Sequence, residues 1–423
     1  MILHLPLFCV FYDYNFGKGK ANRFVFVETK MQKVAVSNIA KQIRGVSYKP
    51  VDLHNDLNKD SVILLRANNI SDGKINFDDV VYVDKKKVSS EQYLQKGDIL
   101  ICASSGSKNL VGKAASVSFD IKCTFGAFCK VIRPISKYAN YLGMYFQSDI
   151  YRRIISNVAI GANINNIRNE HIDSLELSIY SDDKNNEIVS LLDTLQSIIT
   201  HRRTQLEKLD LLVKARFVEM FGDTEYNTKK FPVYKLSELC TVSSSKRIYQ
   251  DEQSSTGVPF LRISNLVELI ETGHLKNELF ISDEKYIELV RSNLVPQKGD
   301  ILVTSRGTLG KCYIVQDDDK FYFQDGMISW LYNLNKAITP LYLALLFNTR
   351  NIKTQIDNLQ SGSTVAYLSI TMLKKLNIVV PPLTLQNQFA DFVKQIDKSK
   401  SILQQELDKA QMLFDSLMQE YFG

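Results

Sequence analysis

The chain repeats itself. Five ordered pairs of similar segments lie 196 to 202 residues apart: VAVSNIA and YKLSELC, LLRANNI and FLRISNL, the two KGDIL stretches, IGANINNI and SGSTVAYL, and the Phe-Gly dipeptides at 221–222 and 422–423. Ordered matches with so small a spread indicate a tandem duplication with short loop insertions. The chain must therefore fold as two copies of one architecture.

The repeat starts near Met31, which aligns with Phe231, and residues 1–30 have no counterpart. They are either an added extension or the product of an upstream codon misassigned as the start. The duplication then predicts five segments, which are the extension 1–30, a first domain 31–183, a central helix 184–222, a second domain 223–383 and a distal helix 384–423.

Each predicted domain is rich in short β-like runs, such as SVILL and DILICA in the first and VPFLRI and DILVTS in the second. Clusters of Gly, Asn, Ser and Asp separate these runs, which is typical of strands joined by loops. Apolar residues recur every three or four positions in YANYLGMYFQS and TPLYLALLFNT, which favours intervening helices. The pattern predicts a mixed α/β fold (α+β in detail).

Each half closes with a long helical pattern. Residues 187–221 contain no Gly or Pro, and apolar residues recur at heptad spacing over five heptads. Such a pattern predicts a coiled-coil seam between two antiparallel helices. The alternative is that each helix packs in a generic helical core. The predicted seam comprises Leu192, Ile199, Leu206, Val213, Met220, Val393, Leu407, Phe414 and Tyr421.

Composition excludes several classes of protein. The net charge of +6 is compatible with nucleic-acid binding without requiring it. The six cysteines form no CxxC pair and the five histidines are scattered, so no metal site is expected. No apolar run is long enough for a membrane span, and the apolar N-terminus lacks the features of a signal peptide. A cytoplasmic location is expected.

GDILVTSRGTLGKCYIV, residues 299–315, resembles a phosphate-binding loop but fails its spacing. Two residues separate Gly307 from Gly310, and Lys311 is followed by Cys312 instead of Ser or Thr. The first copy fails in the same way, and no nucleophile elbow, methyl-donor site or base-methylation motif stands out. The sequence therefore predicts a binding protein without catalytic residues or a cofactor of its own.

Basic, small and amide residues instead gather in loops at corresponding positions of both halves. Arg and Lys neutralise phosphates, Arg and Asn read base edges, and hydroxyls reach either. We expect these loops to bind DNA, although any one of them alone is more often a solvated turn. The candidates are Arg44, Lys49, Arg66, Asn69, Lys108 and Asn163 in the first half, and Lys246, Arg247, Arg262, Asn265, Arg306, Thr308, Lys311, Ser363 and Thr364 in the second.

With its two halves, KGDIL followed by SRGTLGK, SGSTVAYLSI, and IVVPPLTLQNQF before the distal helix, the chain resembles a specificity subunit of a type I restriction-modification system. The first half departs from this pattern locally, because SIYSDDKNNEI replaces the Pro-Pro segment. The resemblance implies two target-recognition domains with pseudo-twofold symmetry, each reading one half of a bipartite DNA site. It also implies that the two long helices are spacers that set the gap between the half-sites.

The resemblance further implies two methyltransferase subunits docked on the helices, and restriction subunits that translocate and cleave DNA. S-adenosylmethionine, ATP and Mg²⁺ would belong to those partners. Three alternatives stay open: a self-sufficient DNA-modifying enzyme, a coiled-coil scaffold without DNA readout, and a specificity subunit of a related system whose methylation and cleavage partner is one fused chain.

Overall fold

A computed structural model describes residues 31–71, 73–107, 110–158, 165–276, 278–360 and 366–423. They form two compact units. The first consists of the residues up to 197 together with 411–423, and the second of residues 198–410. Both mix helices with strands, which confirms the predicted mixed α/β class with two tandem domains. The predicted extension 1–30 lies outside the described residues.

The first copy begins with strand β1 and closes with the long helix α5. Its strands are β1 (Gln32–Ala35), β2 (Ala40–Arg44), β3 (Leu53–His54), β4 (Ser61–Leu65), β5 (Ile70–Ser71), β6 (Lys74–Ile75), β7 (Val81–Asp84), β8 (Ile99–Cys102), β9 (Ser104–Ser105), β10 (Ala114–Ser116), β11 (Cys123–Phe125), β12 (Cys129–Pro134), β13 (Asn165–Asn166) and β14 (Glu176–Ile179). Its α-helices are α1 (Val36–Ile39), α2 (Ala139–Gln147), α3 (Asp149–Val158), α4 (Asn169–Asp173) and α5 (Asp182–Phe221). Short 3-10 helices cover Pro50–Asp52, Ala67–Asn69, Lys85–Lys87, Ser90–Gln92 and Ser136–Tyr138.

The second copy has the same plan. Its strands are β15 (Val233–Lys235), β16 (Thr241–Ser244), β17 (Gln253–Ser254), β18 (Val258–Leu261), β19 (Phe280–Ile281), β20 (Ile301–Thr304), β21 (Cys312–Ile314), β22 (Tyr322–Phe323), β23 (Ile328–Tyr332) and β24 (Asn377–Val379). Its helices are α6 (Leu236–Leu239), α7 (Ile263–Thr272), α8 (Asp283–Arg291), α9 (Pro340–Leu346), α10 (Arg350–Leu359), α11 (Ile370–Lys375) and α12 (Leu383–Phe422), with a 3-10 helix at Gln250–Glu252.

Strand order shows that the duplication extends to topology. The sheet β10-β8-β12-β2 corresponds to β21-β20-β23-β16, and β11-β4-β7-β3 corresponds to β22-β18-β19-β17. The terminal pair β1-β14 likewise corresponds to β15-β24. The clearest difference follows β4 and β18, where the first copy has the short hairpin β5-β6 and the second has the ten-residue helix α7.

The repeated KGDIL segment is explained by a turn that leads into a buried strand. All four residues of β8 and of β20 are buried. Just before each strand a glycine adopts a left-handed conformation, with φ of +90° at Gly97 and +87° at Gly299. This conformation strains any residue with a Cβ. The aspartate that follows each glycine, Asp98 or Asp300, accepts a hydrogen bond of 2.8 Å from the backbone N–H three residues earlier.

The two aspartates bond to different partners. Asp98 forms a bidentate ion pair with Arg133, at 2.8 and 2.7 Å, inside the first unit. Asp300 instead accepts a hydrogen bond of 2.9 Å from the indole N–H of Trp330. Burial raises the pKa of the Asp300 carboxyl, against the lowering effect of the hydrogen bonds from the Gln297 backbone and from Trp330. One carboxylate position thus holds its sheet together by charge in one copy and by a neutral donor in the other.

The helices α5 and α12 each contain 40 residues. A buried amide side chain ties down the start of each. Asn185 bonds the backbone of Tyr180 at both amide atoms, while Gln386 bonds the carbonyls of Pro381 and Ala337 and the N–H of Thr339. The first copy therefore supplies a similar anchor without the Pro-Pro segment. Gly222, at φ +73°, follows α5 and donates its N–H to the Val218 carbonyl, which ends the helix.

Each long helix begins in one unit and ends in the other, because the unit boundaries fall within α5 and α12. In the second unit the Phe221 ring lies 4.8 Å from that of Tyr342, and in the first the Phe422 ring lies 4.9 Å from that of Tyr141. Both phenylalanines are buried. The repeated Phe-Gly dipeptide thus supplies a core residue to each unit.

Within the second unit, α5 and α12 run antiparallel, because two cross-helix ion pairs join residues of opposite order. Arg202 pairs with Glu406 at 2.9 Å, and Asp210 pairs with Lys400. Charged residues of both helices thus form ion pairs across the helix pair in addition to the apolar contacts. Of the predicted seam residues, Leu192, Ile199, Val393, Leu407 and Tyr421 are buried, and Leu206, Val213, Met220 and Phe414 are half-buried.

Candidate nucleic-acid interface

Several of the predicted loops adjoin one edge of a four-stranded sheet in each unit, β10-β8-β12-β2 in the first and β21-β20-β23-β16 in the second. In the first unit β2 and β8 end at this edge and β12 begins there, with Arg44 opposite Lys130. In the second unit β16 and β20 end and β23 begins at the equivalent edge, with Ser244 opposite Ser329. We call these two sets of strand ends, with the loops that follow them, the first edge and the second edge.

A later segment of the chain crosses each edge in the same way. The N–H of Ile167 bonds to the Ala103 carbonyl at 2.8 Å, and the N–H of Leu368 bonds to the Ser305 carbonyl at 2.9 Å. Because these two hydrogen bonds are equivalent, each position of the first edge can be matched with one position of the second edge. The same hydrogen bonds bring together two predicted loops that are about 60 residues apart in sequence in each half.

Different side chains occupy these aligned positions. In the first edge Ser104 pairs with Asn166 in the ladder of β9 and β13. In the second edge Arg306 pairs with Tyr367, and its guanidinium carbon lies 5.0 Å from the centroid of the tyrosine ring. A cation–π contact of this kind orients the guanidinium without using its N–H donors. Arg306 is exposed and can still donate hydrogen bonds to a ligand.

The loop carrying Arg306 is held from below by Thr304, which is fully buried. The Thr304 hydroxyl donates to the Thr308 carbonyl and accepts from the Lys311 N–H at 3.0 Å. The buried Thr304 hydroxyl therefore fixes the backbone of the loop, while the Thr308 side chain stays exposed. These hydrogen bonds hold the loop in place without a ligand.

The structure corrects the prediction for Asn69. This residue is fully buried. Its side-chain oxygen accepts from the Arg66 N–H at 2.8 Å, and its amide nitrogen donates to the Asp79 carbonyl at 3.2 Å. An amide with no exposed surface and both polar atoms engaged is not free to read a base. The neighbouring Asn68 is bound to the Asp79 carboxylate instead.

Asn265 performs the same task in the second half. It accepts from the Arg262 N–H at 3.0 Å and donates to the Lys276 carbonyl at 2.8 Å. These hydrogen bonds serve the turn that starts α7, and because Asn265 is half-buried and not fully buried, its contact with DNA stays a prediction. The repeated LRxxN pattern therefore builds a turn. Arg262 at its start is exposed and has no ion pair among the described residues.

Four other predicted basic residues form ion pairs in the absence of DNA. Exposed ion pairs are individually weak, commonly about 0–1 kcal/mol, so a phosphate can replace the carboxylate at small cost. The pairs are Arg66 with Asp79 at 2.9 Å, Lys246 with Glu288 at 3.3 Å, Arg247 with Asp325 at 2.9 Å, and Lys311 with Glu271.

Arg44 and Lys49 are exposed, and neither side chain has a hydrogen bond among the described residues. Four predicted contacts, Lys108, Asn163, Ser363 and Thr364, lie outside the described residues. The predicted contacts with exposed polar atoms at the two edges therefore remain predictions.

Three residues at these edges were missed by the loop argument. Lys130 faces the first edge from within a strand, and burial lowers the pKa of its amine. Phe128 lies in the turn just before β12 with 70% of its surface exposed. Tyr367 orients Arg306. A polar or strongly apolar residue next to a strand end was the available signal, but only the register of the strands shows which edge it faces.

The described residues contain no cluster of three or more His, Cys, Asp or Glu side chains suited to a metal ion. Burial raises the pKa of the Cys123 and Cys240 thiols to about 12, so both are poor nucleophiles at neutral pH. None of the helices in the described part combines the length and apolar character that a membrane crossing requires.

Comparison with known proteins points to DNA recognition. A family profile described as "Type I restriction modification DNA specificity domain" matches residues 31–210 and again residues 228–412. The type I restriction enzyme EcoKI specificity subunit of Escherichia coli (strain K12) is 28% identical over 405 residues, covering 91% of this chain and 86% of that protein. The StySPI specificity subunit of Salmonella potsdam is 38% identical over 180 residues, covering 42% of this chain and 39% of that protein.

Solved structures agree in fold. The specificity subunit of a type I restriction-modification system from M. genitalium aligns with a TM-score of 0.57 at 13% identity, covering 94% of this chain and 97% of that one. A chain from a structural study of complex assembly in a type I restriction-modification system aligns with a TM-score of 0.56 at 14% identity, covering 95% and 99%.

Proposed function

The chain belongs to the type I restriction-modification DNA specificity family and is a sequence-specific DNA-recognition subunit; from this premise we propose that its two units read the two halves of one bipartite, asymmetric DNA site. In this proposal the first edge reads one half-site and the second edge reads the other. The edges supply phosphate contacts from Arg and Lys and base contacts from Arg, Thr and aromatic residues.

The observation that carries the proposal is the pair of aligned edges with different side chains. Arg44 and Lys130 in the first copy stand where the second has Ser244 and Ser329. Conversely, Arg306 stands where the first copy has Ser104. One scaffold that presents donors and charges at different places suits two different short sequences, which makes the whole site asymmetric.

We further propose that the chain itself is not catalytic and binds no cofactor. Two methyltransferase subunits would bind S-adenosylmethionine, and restriction subunits would use ATP and Mg²⁺, all in the cytoplasm beside the DNA. The long helices suit partner docking because Leu211, Ile402 and Met412 on them are 61%, 59% and 64% exposed. Their length would set the gap between the half-sites.

The proposal is tested by mapping methylated adenines across the genome of the source cell with and without this gene. Loss of one split, asymmetric motif is the expected result. Replacing residues 31–183 by those of a relative should then change one half of the motif only. If deletion changes no motif and the chain does not co-purify with a methyltransferase, the proposal is wrong.

The Arg306→Ala variant tests the second edge within that experiment. We expect relaxed selection at one base pair of the second half-site, at about 1–3 kcal/mol for a lost bidentate contact. The matched control is Arg291→Ala, which removes an exposed arginine at the end of α8. An unchanged motif and an unchanged salt dependence of binding in Arg306→Ala would remove Arg306 from the interface.

A further inference from the structure

A groove of about 340 Å³ opens between helix α7 and the loop that carries Arg306. Its walls combine apolar, hydroxyl, cationic and anionic side chains. The ones that matter here are Ile263, Val267, Glu268, Glu271, Arg306 and Thr308. All of them belong to the second unit, and Arg306 and Thr308 belong to the second edge.

The two glutamates differ in what they bind. Glu271 forms an ion pair with Lys311, which ties the C-terminal part of α7 to the start of β21. The Glu268 carboxylate has no hydrogen bond or ion pair among the described residues, and the residue is half-buried. One glutamate is thus part of the framework, while the other presents free acceptor atoms in the groove.

The free carboxylate of Glu268 lies in the same groove as Arg306, which is proposed to bind DNA. DNA phosphates repel the carboxylate, so it weakens non-specific binding at any sequence. It becomes favourable only where a base offers a hydrogen-bond donor, and in the major groove these donors are the exocyclic amino groups of cytosine and adenine. The apolar Ile263 and Val267 strengthen such a bond by excluding water.

Resting on the proposed function, we infer that Glu268 is a specificity-determining residue of the second unit, accepting a hydrogen bond from the exocyclic amino group of a cytosine or adenine in the second half-site. Arg306 and Thr308 form the opposite wall of the groove. The carboxylate also disfavours sequences that place a guanine or thymine oxygen there, since two acceptors repel each other. The inference concerns the helix α7, which the first copy replaces with a 3-10 turn and a hairpin.

The test uses the full-length chain with its methyltransferase partner, and duplexes that carry the motif found by methylation mapping. At each position of the second half-site, adenine is replaced by purine or cytosine by 2-pyrimidinone, which deletes only the amino group. The wild-type complex should lose roughly ten- to a hundredfold in affinity at one position. Glu268→Ala should show the same weakened affinity on the natural site, with no further loss when that amino group is deleted.

A second signature separates this role from a structural one. Removing the charge should raise affinity for unrelated DNA by about two- to fivefold at low salt, because one repulsion with the phosphates is gone. Glu284→Ala is the matched control, since it removes an exposed glutamate from α8 of the same unit. It should change neither the specific nor the non-specific affinity.

The outcomes are separable. If Glu268→Ala remains as sensitive as the wild type to every amino-group deletion, the inference is wrong while the proposed function stands. If the wild-type complex itself does not prefer the motif over unrelated DNA, the proposed function fails. A thermal melt of Glu268→Ala that matches the wild type shows that any loss of selectivity does not arise from unfolding.

Discussion

The two units share a strand order and differ in how the same positions are used. Asp98 and Asp300 close the same turn, yet one is held by Arg133 and the other by Trp330. The Asn69 and Asn265 turns are alike, yet one leads to a hairpin and the other to helix α7. Backbone hydrogen bonds and glycine conformations persist through the duplication, while side-chain partners at the edges have diverged. The scaffold is therefore separable from what it recognises.

The largest expected effect concerns Phe221 and Phe422, the buried phenylalanines at the ends of α5 and α12. Phe422→Ala should destabilise the first unit and Phe221→Ala the second, each by about 3–5 kcal/mol, because a buried ring is lost from the core. Hydrogen exchange read by mass spectrometry would locate the loss. Phe422→Ala should deprotect segments within residues 31–197, and Phe221→Ala segments within 198–410. Equal deprotection of the same unit by both variants would contradict the assignment of Phe422 to the core of the first unit and Phe221 to that of the second.

The aspartates should respond unequally to an isosteric change. Asp98→Asn removes a carboxylate that binds Nε and Nη2 of a partly buried Arg133, so we expect a loss of about 1–3 kcal/mol. Asp300→Asn keeps an oxygen for the indole N–H and the backbone N–H, and should cost less than about 1 kcal/mol. Urea unfolding of both variants provides the comparison. A larger cost for Asp300→Asn would reverse the assignment of the two roles.

A smaller difference is expected at the last residues of the turns that precede β12 and β23. Phe128 is exposed, whereas the equivalent Met327 packs against the core of its unit. Phe128→Ala should lower affinity for the cognate site by roughly 1–2 kcal/mol, if the ring packs on a base. Met327→Ala should lower stability instead. Binding to cognate DNA and thermal unfolding of both variants separate these effects.

The smallest expected effect is a pH dependence that arises from Asp300. Because burial raises the pKa of Asp300 in the folded state, the folded protein holds this proton to higher pH than the unfolded chain. The stability contribution of Asp300 therefore falls as pH rises from the unfolded pKa through the folded pKa. Relative to Asp300→Asn, the wild type should gain stability as the pH is lowered towards 4. A pH-independent difference would show that the shift is absent.

The duplication, the mixed fold and the family were predictable because they depend on patterns spread along the chain. Glycines that need positive φ, heptad spacing and the ordered repeats can each be recognised from the sequence alone. The roles of single loop residues cannot. Asn69 and Asn265 were predicted to read bases because asparagine does so, but the same amide also closes turns, and only the structure shows which atoms are engaged.

The divergent parts were beyond prediction for another reason. Phe128, Lys130 and Tyr367 reach the edges through strand register, which depends on partners far away in sequence. Arg306 and Tyr367 are neighbours only because the Leu368 N–H bonds to Ser305. Almost identical LRxxN segments are followed by a hairpin in the first copy and by helix α7 in the second. The local sequence therefore did not predict the groove between α7 and Arg306.

The C-terminal end of α12 belongs to the first unit, and this has a consequence for synthesis of the chain. The core of the first unit includes Leu417, Met418, Tyr421 and Phe422. When the ribosome has finished residue 197, that core still lacks these side chains, and the whole second unit must be made before they appear. At about 5–20 residues per second the delay is roughly 11–45 s. During that time the nascent first unit exposes apolar surface, so a segment made only after the second unit is the part that allows the first unit to finish folding.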